Sequence, residues 1–397
     1  MHDHPQDLAR DTVVGAAPAS GRLLWFRWLV PAGALMVLLI LGELTFHLIP
    51  NHYRDLVPMK TTGEWHTPDK TYTYYGALLG VRQPPDIAPN VVRWNHGGWN
   101  DVDHTVTKPP RTLRVLVLGD SYVEGIQVRQ PELYHRRLED LLRGRAAGFS
   151  VETMAMGASG WGQVHELDAL RTKGLSYRPD LVIAEFLPGN DVRNNEPELE
   201  RLANEQAQRS TLARVLFIRA INAGLLLPSY VFDRLDLGIR QWRGQQDPVD
   251  CDVYREAPDA APELWGAAWT RTGALLSEMK AVAAGAGAEL VVVFFTSPME
   301  IDAHVAGTPP APNRMDMRLP GRRLAAICAE RGLQCLDLAP RFARLPGEER
   351  QRIHLAGDGH WSRDGHHQAA QETSRYLTEE TSIWRTMLRR VSAVSGT

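Results

Sequence analysis

The chain has 397 residues, of which 44% are hydrophobic and 23% charged, and its formal net charge is −3 at pH 7. These proportions exclude a wholly disordered chain, and the near balance of charge leaves no global electrostatic footprint for nucleic acid. Three cysteines, Cys251, Cys328 and Cys335, are too few for a disulfide framework and form no C-x-x-C pair.

In chain order, the first element is an apolar run near the N-terminus. Residues 1–21 are polar, rich in small side chains and aperiodic, as in a disordered cytoplasmic tail. Residues 22–49 then carry Trp28 through Gly42 without a charge, and after Glu43 the apolar character resumes to Ile49. A helix from Trp28 to Ile49 would rise ~33 Å, enough to cross a bilayer core. Trp25 and Trp28 suit the near interface, and Glu43 and His47 lie close to the far one. A cleaved signal peptide and a buried core helix are the alternatives. The stretch after Gly42 offers no small-x-small cleavage site. Arg22 and Arg27 precede the run while Arg54, Asp55 and Lys60 follow it in mixed sign, so the expectation is a single-pass signal anchor in the inner membrane. The bulk of the chain then lies on the periplasmic side.

Residues 50–110, rich in Pro, Gly, Trp and Tyr, read as a linker that packs on the main domain. From residue 111 to 380 short apolar runs alternate with helix-length segments. Strands are expected at Leu113–Gly119, Val151–Met156, Asp180–Leu187, Glu289–Thr296 and Gln334–Leu338, and helices near 131–145, 163–174, 264–286 and 320–332. Continuous apolar strands separated by helices predict a five-stranded parallel sheet covered on both faces. The connection over 192–263 is longer than one crossover needs and predicts a helical insertion. Residues 381–397 read as a C-terminal tail. Cys328, late in a predicted helix, and Cys335, in the following strand, are the nearest cysteine pair, and a bridge between them is left open.

Four groups of small or polar residues follow the expected strand ends: Gly119-Asp-Ser-Tyr-Val-Glu-Gly125, Met156-Gly-Ala-Ser-Gly-Trp-Gly162, Pro188-Gly-Asn-Asp191 and Gly357-Asp-Gly-His-Trp-Ser362. Taken together and in this order, they resemble the four blocks of the SGNH/GDSL hydrolases over roughly residues 111 to 375. The resemblance implies a flavodoxin-like three-layer α/β/α fold, Ser121 as nucleophile and His360 as base. It also implies an oxyanion hole from the backbone N–H groups of Ser121 and Gly157 and the side chain of Asn190. The chemistry of the residues agrees. A serine hydroxyl needs a base to take its proton, an imidazole can do so near neutral pH, and fixed donors stabilise the oxyanion of ester cleavage.

Two departures matter. Ala155 stands where the family carries an Asn, and Gly357 stands where it carries the Asp three residues before the histidine. The acid nearest upstream is Asp358, two before His360, and it is the expected third member of the triad. Asp364 is the runner-up, and Asp191 is expected to brace the Asn190 turn. The Asp-x-His-Trp spacing is similar to that of bacterial alginate O-acetyltransferases. Asp358, His360, Asp364, His366 and His367 crowd together without a metal-ligand spacing, so no metal or other cofactor is expected. His366 is assigned to a cap or to the core. Ser159 lacks the second glycine of a Gly-x-Ser-x-Gly elbow. The leading expectation is a serine esterase that cleaves an acyl group, such as O-acetyl, from an extracytoplasmic glycan or lipid. Transfer of the acyl group to a polysaccharide hydroxyl and non-catalytic glycan binding are the alternatives.

Overall fold

The computed structural model describes residues 21–48, 67–74, 90–208, 212–223, 225–242, 249–259, 261–307, 315–355 and 359–395. A small antiparallel pair, β1 (Thr71–Tyr74) and β2 (Asn90–Arg93), precedes the main sheet. That sheet comprises β3 (Thr112–Gly119), β4 (Ser150–Gly157), β5 (Leu181–Phe186), β6 (Glu289–Phe294) and β7 (Gln334–Asp337). Its order is β4-β3-β5-β6-β7, and every pairing is parallel. Counted within the sheet this is 2-1-3-4-5, the flavodoxin-like order. All five expected strands are present.

The helices are α1 (Gly21–Leu48), α2 (Ser121–Glu124), α3 (Tyr134–Arg143), α4 (Gln163–Thr172), α5 (Asp191–Asn194), α6 (Pro197–Gln208), α7 (Leu212–Asn222), α8 (Leu226–Trp242), α9 (Pro262–Gly285), α10 (Pro298–Ala306), α11 (Leu319–Arg331), α12 (Ala339–Phe342), α13 (Gly347–Ile353), α14 (Arg363–Arg375) and α15 (Ile383–Ser395).

The inner strands β3, β5 and β6 are largely apolar without alternation because both faces are covered. Successive side chains of β3 divide accordingly. Leu113, Val115 and Val117 face a core built with Leu138 and Leu142 of α3, Ala369 and Ala370 of α14, and Ile383 and Trp384 of α15. Leu116 and Leu118 face the other core, with Leu170 of α4, Leu276 and Met279 of α9, and Leu324 of α11. Each large apolar side chain fully buried there contributes about 1.5–3 kcal/mol.

Residues 383–395 are a correction. Where a tail is expected, α15 packs Ile383, Trp384 and Met387 into the core, and the Trp384 indole N–H donates to the Arg145 carbonyl at 2.9 Å. Ile383, Trp384, Met387 and Leu388 recur at helical spacing and give this segment an apolar face to bury. Part of 50–110 also has regular structure. Val92 and Trp94 are buried, and the Asn90 amide donates to the carbonyls of Ile126 and Val128 at 2.8 and 2.6 Å, which fastens this stretch to the main domain. A disulfide joins Cys328 to Cys335, with Cα atoms 6.3 Å apart, and ties the end of α11 to β7. The insertion after β5 contains α6, α7 and α8. Within α1, Leu29–Leu48 is long and apolar enough to cross a membrane, and none of it is buried.

Candidate active site

In an open parallel sheet a site forms beyond the carboxyl ends of the strands, where the strand order reverses. Here the order reverses at β3, between β4 and β5. The residues at the ends of these three neighbouring strands are Ser121, Gly157 and Asn190.

Ser121 opens the single turn α2. Asp120 caps that turn, its carboxylate accepting the Tyr122 N–H at 2.9 Å. The turn stops at Gly125, whose φ of +58° is left-handed and where a Cβ would stand 2.2 Å from Leu133. Gly157 ends β4 beside this turn. A Cβ there would lie 2.8 Å from Val123 and 2.9 Å from the Glu124 nitrogen, so only glycine lets α2 sit against the strand end.

His360 arrives from the far end of the chain, and its Nε2 lies 2.8 Å from Ser121 Oγ. Its loop is fixed from several sides. The His360 carbonyl accepts the Leu355 N–H at 2.8 Å. Tyr122 places its ring 4.9 Å from the imidazole and donates its hydroxyl to the Gly359 carbonyl at 2.7 Å. The next residue, Trp361, is fully buried against Phe295, Tyr122 and Phe342. The tryptophan anchors the loop, and the imidazole projects from that anchor to the serine. Asp358 lies outside the described residues. Asp364 sits in the first turn of α14, where its carboxylate is 3.2 Å from Arg352 and 3.8 Å from Arg363.

Asn190 precedes α5, and its amide donates to Asp120 Oδ2 at 2.8 Å. Asp191 closes that turn by accepting the Leu187 N–H at 2.9 Å. Ala155, the departure in the second block, is a core position whose N–H donates to Asp101 at 3.0 Å. The decoys have structural places. His366 is buried and its Nδ1 accepts the Tyr134 N–H at 3.1 Å, and burial pushes its pKa down to about 3. Ser159 directs both its hydroxyl and its N–H at Glu124.

Beneath the serine is a group that the sequence reading missed. Asp120, Glu166, Glu185 and Asp191 are all buried and close together. Glu185 accepts the Asp120 N–H at 2.8 Å, and the Gln163 amide reaches both Glu166 (3.3 Å) and Asp191 (2.5 Å). Burial is the largest influence on all four and raises their pKa values. For Glu166, Glu185 and Asp191, repulsion from neighbouring acids adds to it. The visible signal was Glu185, an acid in the middle of the otherwise apolar run Leu181–Phe186. Tyr254 was also missed. It closes the short turn Val249–Tyr254 late in the insertion, its hydroxyl stands 3.9 Å from where a Cβ on Gly189 would be, and it donates to Glu300 at 3.0 Å.

A serine hydroxyl bonded to an imidazole, beside fixed donors at a strand end, is equipped to attack an ester carbonyl. Residues 117–367 match the GDSL-like Lipase/Acylhydrolase family. Among solved structures, the chain is similar to TesA (12% identity, 66% of this chain and 97% of that one, TM-score 0.37). It is similar as well to the lipase/acylhydrolase from Enterococcus faecalis (13%, 68% and 96%, 0.36). A mutant of Axe2, an acetyl-xylooligosaccharide esterase from Geobacillus Stearmophilus, gives 14%, 68% and 95%, with a TM-score of 0.38. A search of functionally curated proteins finds no match. The family match spans well over half of the chain and contains Ser121, Gly157, Asn190 and His360: the chain belongs to the GDSL-like lipase/acylhydrolase family and is an ester-bond hydrolase.

Proposed function

We propose that this enzyme removes a short acyl group, such as acetyl, from a glycan or lipid outside the cytoplasm, through an acyl-enzyme on Ser121. The observation that carries the reading is the 2.8 Å contact between His360 Nε2 and Ser121 Oγ. The hydroxyl proton passes to Nε2 as Oγ bonds to the ester carbonyl carbon. The oxyanion of the tetrahedral intermediate is held by the N–H groups of Ser121 and Gly157 and by the Asn190 amide. His360 returns the proton to the departing alkoxide, and water then repeats the sequence to release the acid. Asp358 is the triad acid in this reading, which orients the imidazole and stabilises its cation. Tyr254 is brought back beside Gly189, the neighbour of Asn190 in the chain.

The buried carboxyl group beneath the serine supports the same chemistry. Burial and mutual repulsion raise the pKa values of these acids, which favours their neutral forms below the forming oxyanion. The unburied apolar helix α1 supports a single-pass anchor, and the Cys328–Cys335 bridge supports an oxidising, exported setting for the domain. Trp361 of the Asp-x-His-Trp spacing is buried in the core.

Fluorophosphonate labelling followed by peptide mapping tests the nucleophile: the label is expected on Ser121 and absent from Ser121→Ala. Label on another serine would overturn the assignment. Acetate release from a panel of O-acetylated glycans and lipids, compared with longer acyl esters, tests the acyl preference. Export-dependent reporter fusions after residue 60 test the topology.

A further inference from the structure

Glu43 is an acid within the apolar run of α1, and the structure gives it a partner that the sequence does not suggest. Its two carboxylate oxygens accept the N–H groups of Leu226 (2.6 Å) and Leu227 (2.9 Å), the first two residues of α8. Pro228, next in that turn, has no N–H to offer, and the Ser229 N–H bonds back to the Leu225 carbonyl. Glu43 therefore satisfies every donor that the first turn of α8 leaves open, and its negative charge faces the positive end of the helix. Around this cap Phe46 packs its ring 5.7 Å from Tyr230, and a Cβ on Gly42 would lie 2.8 Å from Leu227. Gly42, Glu43 and Phe46 are the residues of Leu29–Leu48 that are partly covered, and the remainder of that stretch is exposed.

From this junction α8 carries an exposed stripe at helical spacing: Tyr230, Val231, Arg234, Leu235 and Gly238. Leu235 is 51% exposed, and Leu212 at the start of α7 is 73% exposed. Arg234 lies over the Tyr230 ring at 5.7 Å. A tyrosine and an arginine among exposed aliphatic side chains are the composition of a helix at a lipid interface, where the ring and the arginine stem lie along acyl chains and the guanidinium meets phosphates. The stripe begins at this junction, and exposed apolar side chains of α1, Leu41, Leu44 and Leu48, flank the junction on the other helix.

We propose that α8 lies in the outer head-group layer of the bilayer crossed by α1, clamped to it by Glu43, with Tyr230, Val231 and Leu235 among the lipids. The proposal rests on the reading of α1 as a bilayer-crossing anchor. It gives the insertion a role: the segment leaves the sheet directly after Asn190 and comes back at Tyr254 beside Gly189, so the element seated on the membrane is joined by the chain to the segments that flank Asn190. The enzyme is then held at a fixed height over the lipid surface, with no free swing on a linker.

The test uses the full chain in vesicles of phosphatidylethanolamine and phosphatidylglycerol, with Cys251→Ser as background. An environment-sensitive dye is placed on Leu38→Cys, Leu235→Cys or Glu198→Cys, and the vesicles carry nitroxide lipids. Quenching is expected at 38 and 235 and not at 198, an exposed position of α6. Quenching at 38 without quenching at 235 overturns the proposal and leaves the anchor intact, whether position 235 faces water or is covered by another protein or a second copy. No quenching at 38 removes the anchor and the proposal with it. Glu43→Gln then tests the clamp: hydrogen exchange at the Leu226 and Leu227 amides should quicken by about tenfold, and quenching at 235 should fall. Unchanged exchange would overturn the role of Glu43.

Discussion

The two ends of the central sheet accommodate acidic groups in opposite ways. At the amino ends of the strands, Arg114 is fully buried. It donates to Glu152 at 2.7 Å and to the carbonyls of Tyr177 (2.7 Å), Thr105 (2.7 Å) and Val106 (3.1 Å). Beside it Lys108 pairs with Asp180. Here charge meets charge and the guanidinium donors are satisfied. At the carboxyl ends, under Ser121, the acids Asp120, Glu166, Glu185 and Asp191 are held by one another, by backbone N–H groups and by the amides of Gln163 and Asn190. The first arrangement secures the fold. The second buries a cluster of acids whose pKa values are raised by burial, beside the candidate site.

The largest effects separate the two ends by activity alone. Ser121→Ala and His360→Ala should each reduce kcat on an aryl acetate by up to about six orders of magnitude, with no further loss in the double variant, since the groups act as a unit. Asp358→Asn should cost up to about four orders, and Asp364→Asn should be near neutral because its carboxylate serves Arg352. An inactive Asp364→Asn beside a fully active Asp358→Asn would reassign the acid. Asn190→Ala should lower kcat by roughly 10²–10³ with KM little changed, as for one oxyanion-hole donor. A rise in KM at unchanged kcat would remove Asn190 from the hole.

Arg114→Ala is the counterpart at the other end. It strands buried carbonyls and the Glu152 charge and should cost about 3 kcal/mol of stability, read as a fall in the denaturant midpoint. Specific activity per folded molecule should stay at the wild-type level. A loss of kcat larger than the loss of folded protein would mean that the two ends are coupled.

The contrast also explains what could be read from the sequence. The five strands were legible because a parallel sheet buried on both faces writes itself as unbroken runs such as Leu181–Phe186. Ser121, Gly157, Asn190 and His360 were legible because each follows a strand end or sits in a short motif. The acid floor was not, because Glu166, Glu185 and Asp191 come from three separate elements, and only the fold brings them under Asp120. Helix α15 was missed for a different reason: its apolar spacing was present, but its place at the chain end suggested a tail. The partner of Glu43 lies 183 residues away in the chain, and no local pattern encodes it.

Glu185→Gln sharpens the comparison by removing titration from the floor while keeping its shape. The amide oxygen can still accept the Asp120 N–H, and the amide nitrogen can donate where a protonated carboxyl would. Burial raises the Glu185 pKa in the folded protein, so its protonated form stabilises the fold below the unfolded pKa. That contribution is lost as pH rises towards the folded value. The variant should therefore match wild type at acid pH and exceed it in thermal stability at alkaline pH. A lower melting temperature at every pH would mean that the charged carboxylate is the form the fold uses.

Glu300 is the smaller and more sharply placed version of the same effect. It is buried beside the site and accepts from the Tyr254 hydroxyl (3.0 Å), the Thr296 hydroxyl (3.1 Å) and the Ser297 N–H (2.7 Å). All three donors favour its ionised form. Burial opposes them and prevails, and the pKa rises from 4.5 to about 7. A raised acid stabilises the fold fully below its unfolded pKa, so the loss falls between pH 4.5 and about 7. Glu300→Gln keeps a network of donors and acceptors, since its nitrogen can donate to Tyr254 while its oxygen accepts from Ser297. It should change stability by less than about 1 kcal/mol at pH 5 and raise it by about 3 kcal/mol at pH 8, the scale of a shift from 4.5 to about 7. The measurement is a pair of denaturant titrations at the two pH values. Equal stabilities of wild type and variant at pH 8, with both higher than at pH 5, would show that Glu300 ionises without cost and that its three donors outweigh its burial.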